Sequence, residues 1–401
     1  DFHYGRTAPN SPAMWFDEDS FGVNRLLTRC DLTQQLAPGL LRRIPISEAG
    51  REALVRFYAA EEHLLADRSD DEIEAYLRSI SYPEFLRRHG KLTEDAIALF
   101  AKLEHGGWGV EMRALSAWEA MESGAPGWHL LGEGWGREGW EYPVARWPDG
   151  NASLARLQVA RLIPAVAPGT TADNVAVARF DYGALDRADS AVRIRLEATV
   201  INVGEDDAGV AVTYVKNGHT RRLRARQSVL ACYHSIIPHL CPALPPAQRE
   251  AMRYQVKHPL LLTNVLIRNT DALDRLGIDG VRCPGRLMER LFTFRGINTG
   301  GFEHAIDDPG PVSLIFWGSI SPPPAAVDVH SQLRASRQKM LALSFEDYER
   351  EVRTVLDGLL GPAGFDVRRD VLAITVNRWP HGYAYEYLDL WDPDYAEGDR
   401  K

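Results

Sequence analysis

Cysteine is scarce in this sequence. Its 401 residues include four cysteines, at positions 30, 232, 241 and 283, and no two of them form a C-x-x-C pair. So small and scattered a set excludes a disulfide framework and indicates no zinc or dithiol redox site. The 12 histidines also lack metal-ligand spacing. His234 and His239 come nearest to it, but Pro238 prevents a regular helix from aligning them, and we expect no metal centre.

Long apolar runs are absent as well. No stretch approaches the roughly 18 consecutive apolar residues that a membrane helix needs, so we expect no membrane span. The first residues, DFHYG, resemble neither a first strand nor a charged-then-apolar leader. We therefore expect a fragment that has lost its localisation signals. The compartment stays open, with the bacterial periplasm as one alternative.

An excess of positive charge is lacking too. Lys and Arg total 46 against 55 Asp and Glu, a net charge of −9, so no global field draws the chain to phosphate backbones. Nucleic acid is thereby excluded as a partner. With 45% apolar and 25% charged residues the composition is that of a globular protein, and the length suits an enzyme of two or three domains.

The common hydrolase motifs are missing. There is no G-x-S-x-G elbow, Walker loop or H-E-x-x-H. Gly134 to Gly139 has the spacing G-x-G-x-x-G, but a poor strand precedes it, and Pro143 and Pro148 interrupt the segment after it. Because a dinucleotide fingerprint needs a strand before it and a helix after it, we interpret this match as part of a long loop from Gly124 to Asn151.

The periodicity predicts helices first and strands later. Helix caps at Ser47, Ser81 and Thr93, and a helix that opens at Asp70, indicate a helical region between Pro45 and Gly124. A helix over 152–162 is followed by period-two alternation at 192–196 and 210–214, a hairpin turn at 217–218 and an apolar strand at 229–232.

Further strands are predicted at 260–267, 312–317 and 371–376. A helix from Ser344 to Gly361 precedes the last of them. The fold class is α/β (α+β), with a mixed sheet and a helical insertion.

An aromatic segment, Asn377 to Tyr387, directly follows the last predicted strand. We interpret it as a loop at a strand end, where ligands commonly bind. Aromatic residues dominate cores and binding sites alike, so a pocket wall and a packing corner are both open.

Three ordered segments carry a resemblance to a known family: PDGNAS at 148–153, VLACY at 229–233 continuing to Ile237-Pro238, and ITVNRWPHGYAYE at 374–386. They look like the spermidine-dehydrogenase-like branch of the flavin amine oxidases. The resemblance implies an FAD-linked amine-oxidase-like fold, of which the N-terminal Rossmann motif and the C-terminal flavin segment are missing here.

The same resemblance implies a domain division. Residues 1–150 would form a helical, loop-rich substrate-side region, and 151–236 part of the FAD domain with its β-meander. Residues 237–376 would form the substrate domain, and 377–401 an aromatic segment that returns toward the flavin.

Residue roles are likewise implied by the resemblance. Cofactor-binding positions would be Thr199, Val200, Ile201, Ala231, Cys232 and Tyr233. Trp379, Tyr383 and Tyr385 would form an aromatic wall beside the flavin. Asn264 takes the place of the lysine found in many amine oxidases, with Lys257 as the fallback for it, and Glu386 would hold a distal substrate ammonium.

The expected function is FAD-dependent oxidation of an amine, a polyamine such as spermidine, with hydride transfer to the flavin followed by hydrolysis of the imine. The partners are then a small amine and an electron acceptor, and the family allows a haem beside the flavin. Two alternatives stay open: a flavin desaturase or oxidase of an apolar substrate, and an inactive binding or scaffolding fragment.

Overall fold

The computed structural model describes residues 11–61, 63–103, 108–136, 147–293, 295–305, 308–318, 320–322 and 328–393. Its strands are β1 (Ser11–Phe16), β2 (Arg25–Thr28), β3 (Thr199–Asp206), β4 (Gly209–Lys216), β5 (His219–Ala225), β6 (His258–Ile267), β7 (Ile278–Arg282), β8 (Arg290–Thr293), β9 (Val312–Gly318) and β10 (Val371–Tyr383).

The helices in these ranges are α1 (Glu18–Phe21), α2 (Pro38–Leu41), α3 (Glu48–Ala59), α4 (Asp70–Ser79), α5 (Tyr82–Arg88), α6 (Glu94–Ala98), α7 (Ala117–Glu122), α8 (Ala152–Leu162), α9 (Ile237–Leu240), α10 (Pro246–Tyr254), α11 (Asp271–Leu276), α12 (Val329–Ala342), α13 (Phe345–Leu360) and α14 (Val367–Asp370). Within the described ranges no helix has the length and apolar character of a membrane span.

The chain divides into two compact units. Unit 1 comprises residues 1–6, 143–256 and 295–307, and unit 2 comprises 7–142, 257–294 and 308–401.

Unit 2 is built on a seven-stranded mixed sheet. The strand order is β10-β6-β9-β8-β7-β1-β2, antiparallel except for the β1–β7 pair. One sheet face packs on α12 and α13, where Leu261 and Phe316 of the sheet join Met340, Val352 and Leu356 of the helices in one buried core. This mixed sheet with its helices confirms the expected α/β fold class.

The helical region lies between β2 and the later strands of this sheet along the chain, and its caps are formed largely as predicted. The Ser47 hydroxyl accepts a hydrogen bond from the Gly50 amide at 3.0 Å. Ser69, one residue before Asp70, closes a capping box with Glu72. Ser81 caps α5, but Glu84 pairs with Arg87 and Arg88 and so does not complete a box. Short side chains that accept from the first free amides thus set these helix starts.

Residues 124–136, the described first part of the glycine-rich segment, form a structured loop. A 3-10 helix, Trp128–Leu130, precedes Gly134 where the fingerprint would require a strand. Trp128 contacts Trp118 at 5.2 Å between ring centroids and stacks with Trp135 at 6.1 Å. Positions 137–139 of the motif, like 394–401 of the predicted return segment, lie outside the described residues.

Unit 1 contains the helix α8 and the antiparallel meander β3-β4-β5. Asn217 and Gly218 have φ of 52° and 74°, so the predicted hairpin turn between β4 and β5 is confirmed. A small core of Ile163, Val166, Ala184 and Leu185 lies before the meander.

Two predicted strands of unit 1 are wrong. Residues 192–196 are irregular because Arg193 and Arg195 both bind Asp186, and Glu197 follows with a left-handed φ of 54°. Residues 229–232 are also not a strand. The pairing of β4 with β5 already ends at Val210 and Ala225, which leaves residues 229–232 no strand partner within the described ranges, and Val229 is 89% exposed.

Candidate active site

β6 presents two different faces to its surroundings. Leu261 and Val265 are buried in the core beneath the helices, whereas Leu262 and Asn264 point the opposite way and are half-buried. Asn264 lies opposite Thr375 of β10 and Ile315 of β9. Because paired residues share a face of the sheet, these three side chains form one row. The sheet thus places Asn264 at the centre of a partly exposed surface.

This surface is apolar and aromatic on one side of Asn264. Leu262 is opposite Trp317 of β9, and Leu260 is opposite Trp379 of β10. We call Leu260, Leu262, Asn264, Trp317 and Trp379 the open sheet face. Trp379 is 43% exposed. It stands four residues beyond the partner of Asn264, about 13 Å along the strand, so the two candidates share a face without being in contact.

The aromatic segment predicted as a loop is mostly strand. β10 continues to Tyr383, with Trp379 paired to Leu260 and Tyr383 paired to His258 across a register shift. The prediction ended the strand at Val376 because aromatic, glycine and proline residues follow. β6, however, begins at His258 and supplies partners for the longer strand. Pro380 is tolerated because β10 is an edge strand of the sheet.

Tyr383 and Tyr385 lie around one buried histidine. The His258 ring is 6.1 Å from each of the two tyrosine rings between centroids, and His330 is 5.2 Å from Tyr385. The Tyr385 hydroxyl donates to the Asp392 carboxylate at 2.9 Å, which fixes the orientation of its ring. We call His258, His330, Tyr383 and Tyr385 the histidine cluster.

His258 is the residue of this site that the sequence analysis missed. It is 1% exposed, and among the described residues neither ring nitrogen has a hydrogen-bond partner. Burial, together with the charge of Lys257, lowers the pKa of His258 to about 4, so the imidazole is neutral at pH 7. A Cβ at Gly109 would come within 2.5 Å of this ring, so only glycine fits there. The available signal was a histidine beside the fallback lysine at the start of an apolar strand.

Glu386 follows the cluster at the end of the aromatic segment. It is half-buried, and its carboxyl interacts with the Tyr383 hydroxyl. Burial raises the pKa of Glu386 and also that of Tyr383, whose ionisation the nearby carboxylate further opposes. The site therefore presents the Glu386 carboxyl next to an aromatic surface, in addition to the Asp392 carboxylate that holds Tyr385.

Lys257 is half-buried and precedes His258 directly. Its carbonyl accepts a hydrogen bond from Arg337 Nη2 at 2.7 Å, and the carbonyl of Pro380 accepts one from Arg337 Nε at 2.7 Å. Arg337 of α12 thus ties the start of β6 to the aromatic half of β10.

The predicted cofactor residues belong to unit 1. Thr199, Val200 and Ile201 begin β3 and are exposed. Within the described residues β3 pairs only with β4, so its other edge has no strand partner, and α9 lies close to this strand. Ala231, Cys232 and Tyr233 are exposed and lie outside any strand. No group of His, Cys, Asp and Glu among the residues described could hold a metal ion.

No model of a protein family and no curated protein matches this chain. Among solved structures, wild-type putrescine oxidase bound to putrescine is similar over 94% of this chain and 70% of that chain, at 14% identity and a TM-score of 0.48. A double mutant of putrescine oxidase is similar over 94% of this chain and 67% of that chain, at 13% identity and a TM-score of 0.47. Cyclohexylamine oxidase from Brevibacterium oxydans is similar over 92% of this chain and 67% of that chain, at 12% identity and a TM-score of 0.41. All are amine oxidases by name, and at TM-scores below 0.5 these likenesses assign no function to this chain.

Proposed function

We propose that this chain belongs to an FAD-dependent enzyme that oxidises an amine, with polyamines such as spermidine as the substrate class. One observation carries the proposal. β10 places Trp379 on the open sheet face and Tyr383 beside a buried neutral histidine, and the Glu386 carboxyl follows immediately. The motifs at 148–153, 229–238 and 374–386, which resemble those of flavin amine oxidases, support the same function.

The chain offers surfaces that suit FAD. The open sheet face is aromatic and carries the amide of Asn264, and Asn377, opposite Leu262, adds a second amide to the same face. Such a surface fits a planar ring that has polar edges. The edge of β3 that has no strand partner in the described sheet, with Val200 and Ile201 exposed, suits an adenine base. When bound, FAD would supply the acceptor for a hydride from the carbon beside the amine nitrogen, and hydrolysis of the oxidised substrate would give an aldehyde and an amine.

The chain's own residues would bind and shelter the amine. The Glu386 carboxylate pairs with an ammonium at the far end of a polyamine. His258, neutral at pH 7, adds no positive charge that would repel this cation. Trp379 and Tyr383 exclude water from the reacting end, where the amine must be neutral to be oxidised. Asn264 donates or accepts hydrogen bonds where related enzymes have a lysine, and Lys257 is the fallback for that role.

Replacing Trp379 tests this function. In the flavin-loaded protein that carries this chain, we expect Trp379→Ala to slow anaerobic flavin reduction by spermidine at least tenfold. The melting temperature should change little, because the side chain is 43% exposed. Leu372→Ala is the matched control, since Leu372 lies on the same strand and is 40% exposed.

Three other results would each contradict the proposal in a different way. A large loss of stability with a normal rate in the folded fraction would show that Trp379 is only a packing residue. Flavin that binds and is reduced by an apolar substrate but by no amine would favour the desaturase alternative. A protein that binds no flavin would favour the scaffold.

A further inference from the structure

Unit 2 contains a cavity of about 180 Å³ that is separate from the histidine cluster and the open sheet face. It lies between the first strand, which contributes Met14, and the segment after α6, which contributes Leu99 and Lys102. Arg282 and Glu289 complete its polar lining. Ala98 and Gly285, which also line the cavity, are exposed and mark its opening to solvent.

Lys102 places an amine in this mostly apolar space. Its Nζ donates a hydrogen bond to the Arg286 carbonyl at 2.9 Å, which fixes the position of the nitrogen. Burial lowers the pKa of Lys102 although the charge of Glu289 opposes the shift. A desolvated lysine in an apolar pocket has a larger neutral fraction and is therefore the better nucleophile.

We infer that Lys102 is a reactive amine and that the cavity binds small aliphatic aldehydes as imines on its Nζ. The neutral nitrogen adds to the carbonyl carbon, and the carbonyl oxygen then leaves as water with the two protons that the nitrogen loses; Glu289, in the same lining, can relay one of them to the oxygen. One C=N bond replaces one C=O bond, and no oxidant or reductant is needed. Met14 and Leu99 would contact the aldehyde's hydrocarbon chain.

This inference does not rest on the proposed function, because imine formation requires no flavin. If the chain does oxidise amines, the cavity would accept the chemical class of its product. Its failure and that of the amine-oxidation proposal are distinguishable, since the two involve different residues and different assays.

Reductive trapping of the imine tests the inference. The chain is incubated at pH 7 with butanal and cyanoborohydride, and the alkylation rate of each lysine is measured by mass spectrometry of peptides. We expect Lys102 to react at least tenfold faster than Lys91, an exposed lysine of the same helical region. In denaturing urea the two rates should converge, because the difference arises from the fold.

Filling the cavity provides the control. Ala101→Leu adds bulk to the lining and leaves the amine in place, so the rate at Lys102 should fall toward that at Lys91, and Lys91 should be unaffected. Ala98→Leu, at the exposed opening, serves the same purpose if Ala101→Leu does not fold. Equal rates at Lys102 and Lys91 in the native chain, or a Lys102 rate that neither filling variant changes, would overturn the inference.

Discussion

His258 is a polar side chain held in an environment that opposes its charge. Its pKa is about 4, against an ordinary value of 6.5, so the unfolded chain takes up this proton first as the pH falls. The stability associated with the neutral ring is fully present above pH 6.5 and is lost progressively toward pH 4. A shift of this size corresponds to about 3 kcal/mol over the whole window.

Removing the titrating group should flatten this pH dependence. We expect His258→Phe to lose about 2 kcal/mol less free energy of unfolding than the wild type between pH 6.5 and pH 5, because phenylalanine keeps a ring against Tyr383 and binds no proton. Urea unfolding at the two pH values measures the difference. His219→Phe, at an exposed position of β5, should keep the wild-type dependence. An unchanged slope in His258→Phe would contradict the assignment of a buried neutral imidazole.

At the scale of elements, α13 lies against β1 at a glycine. A Cβ at Gly358 would come within 2.5 Å of the Trp15 ring. The same ring donates through Nε1 to Asn24 Oδ1 at 2.7 Å, and Asn24 Nδ2 donates to the Gly358 carbonyl at 2.8 Å. Helix and strand are thus joined by close packing and by a side-chain bridge at one point.

Gly358→Ala should therefore destabilise unit 2 although alanine is the better helix former. Overpacking against a ring held by a hydrogen bond outweighs the gain in helix propensity, and we expect a net loss of about 1–2 kcal/mol. Gly39→Ala in α2 is the matched control, because no atom of the described residues outside the local helix backbone lies within 4 Å of the added Cβ, and it should be neutral or stabilising. Equilibrium unfolding in urea compares the two. A stabilised Gly358→Ala variant would disprove the close contact.

Elements whose signals are local could be predicted from the sequence, and those that depend on a partner could not. The start of α13 needs only Ser344 and Asp347, which close a capping box. The segment at 192–196 has strand-like alternation, but its arginines bind Asp186 instead. The length of β10 depends on where β6 begins, about 120 residues earlier, and no pattern within β10 itself contains this information.

The residues of the candidate site also fall into those that a local pattern predicts and those that only the folded chain brings together. Period-two alternation in β6 is enough to place Asn264 on the face opposite Leu261 and Val265. The histidine cluster depends on the pairing of Tyr383 with His258 and on the approach of Gly109, which only the folded chain defines. The Lys102 cavity likewise combines α6 with β1 and β7.

At the scale of the whole molecule, the two units differ in the cores that their described residues form. The core of unit 1 before the meander consists of Ile163, Val166, Ala184 and Leu185, with three partly buried neighbours. The core of unit 2 beneath α12 and α13 contains many more buried side chains, Val352 and Leu356 among them. Because the protection of backbone amides from hydrogen exchange increases with buried apolar packing, the two units should open with different free energies.

Native-state hydrogen exchange should reveal this difference. We expect backbone amides of 184–185 to exchange at least tenfold faster than those of 352–356, because opening the smaller core exposes less apolar surface. Mass spectrometry of peptides from the two segments, with unfolded-chain rates as the reference, measures the ratio. Equal protection factors would show that the chain opens only as a whole.

The position of β10 at the edge of the sheet has a consequence for how this protein can diverge. An interior strand is bound on both sides, so an insertion or a shifted register there disturbs two neighbours. β10 is bound only to β6 in the described sheet, and it already accommodates Pro380 and a register shift between Trp379 and Tyr383. Related proteins could therefore differ in the length and the residues of the aromatic part of β10 while the other strands keep their positions. Such proteins would bind different ligands without a change of fold.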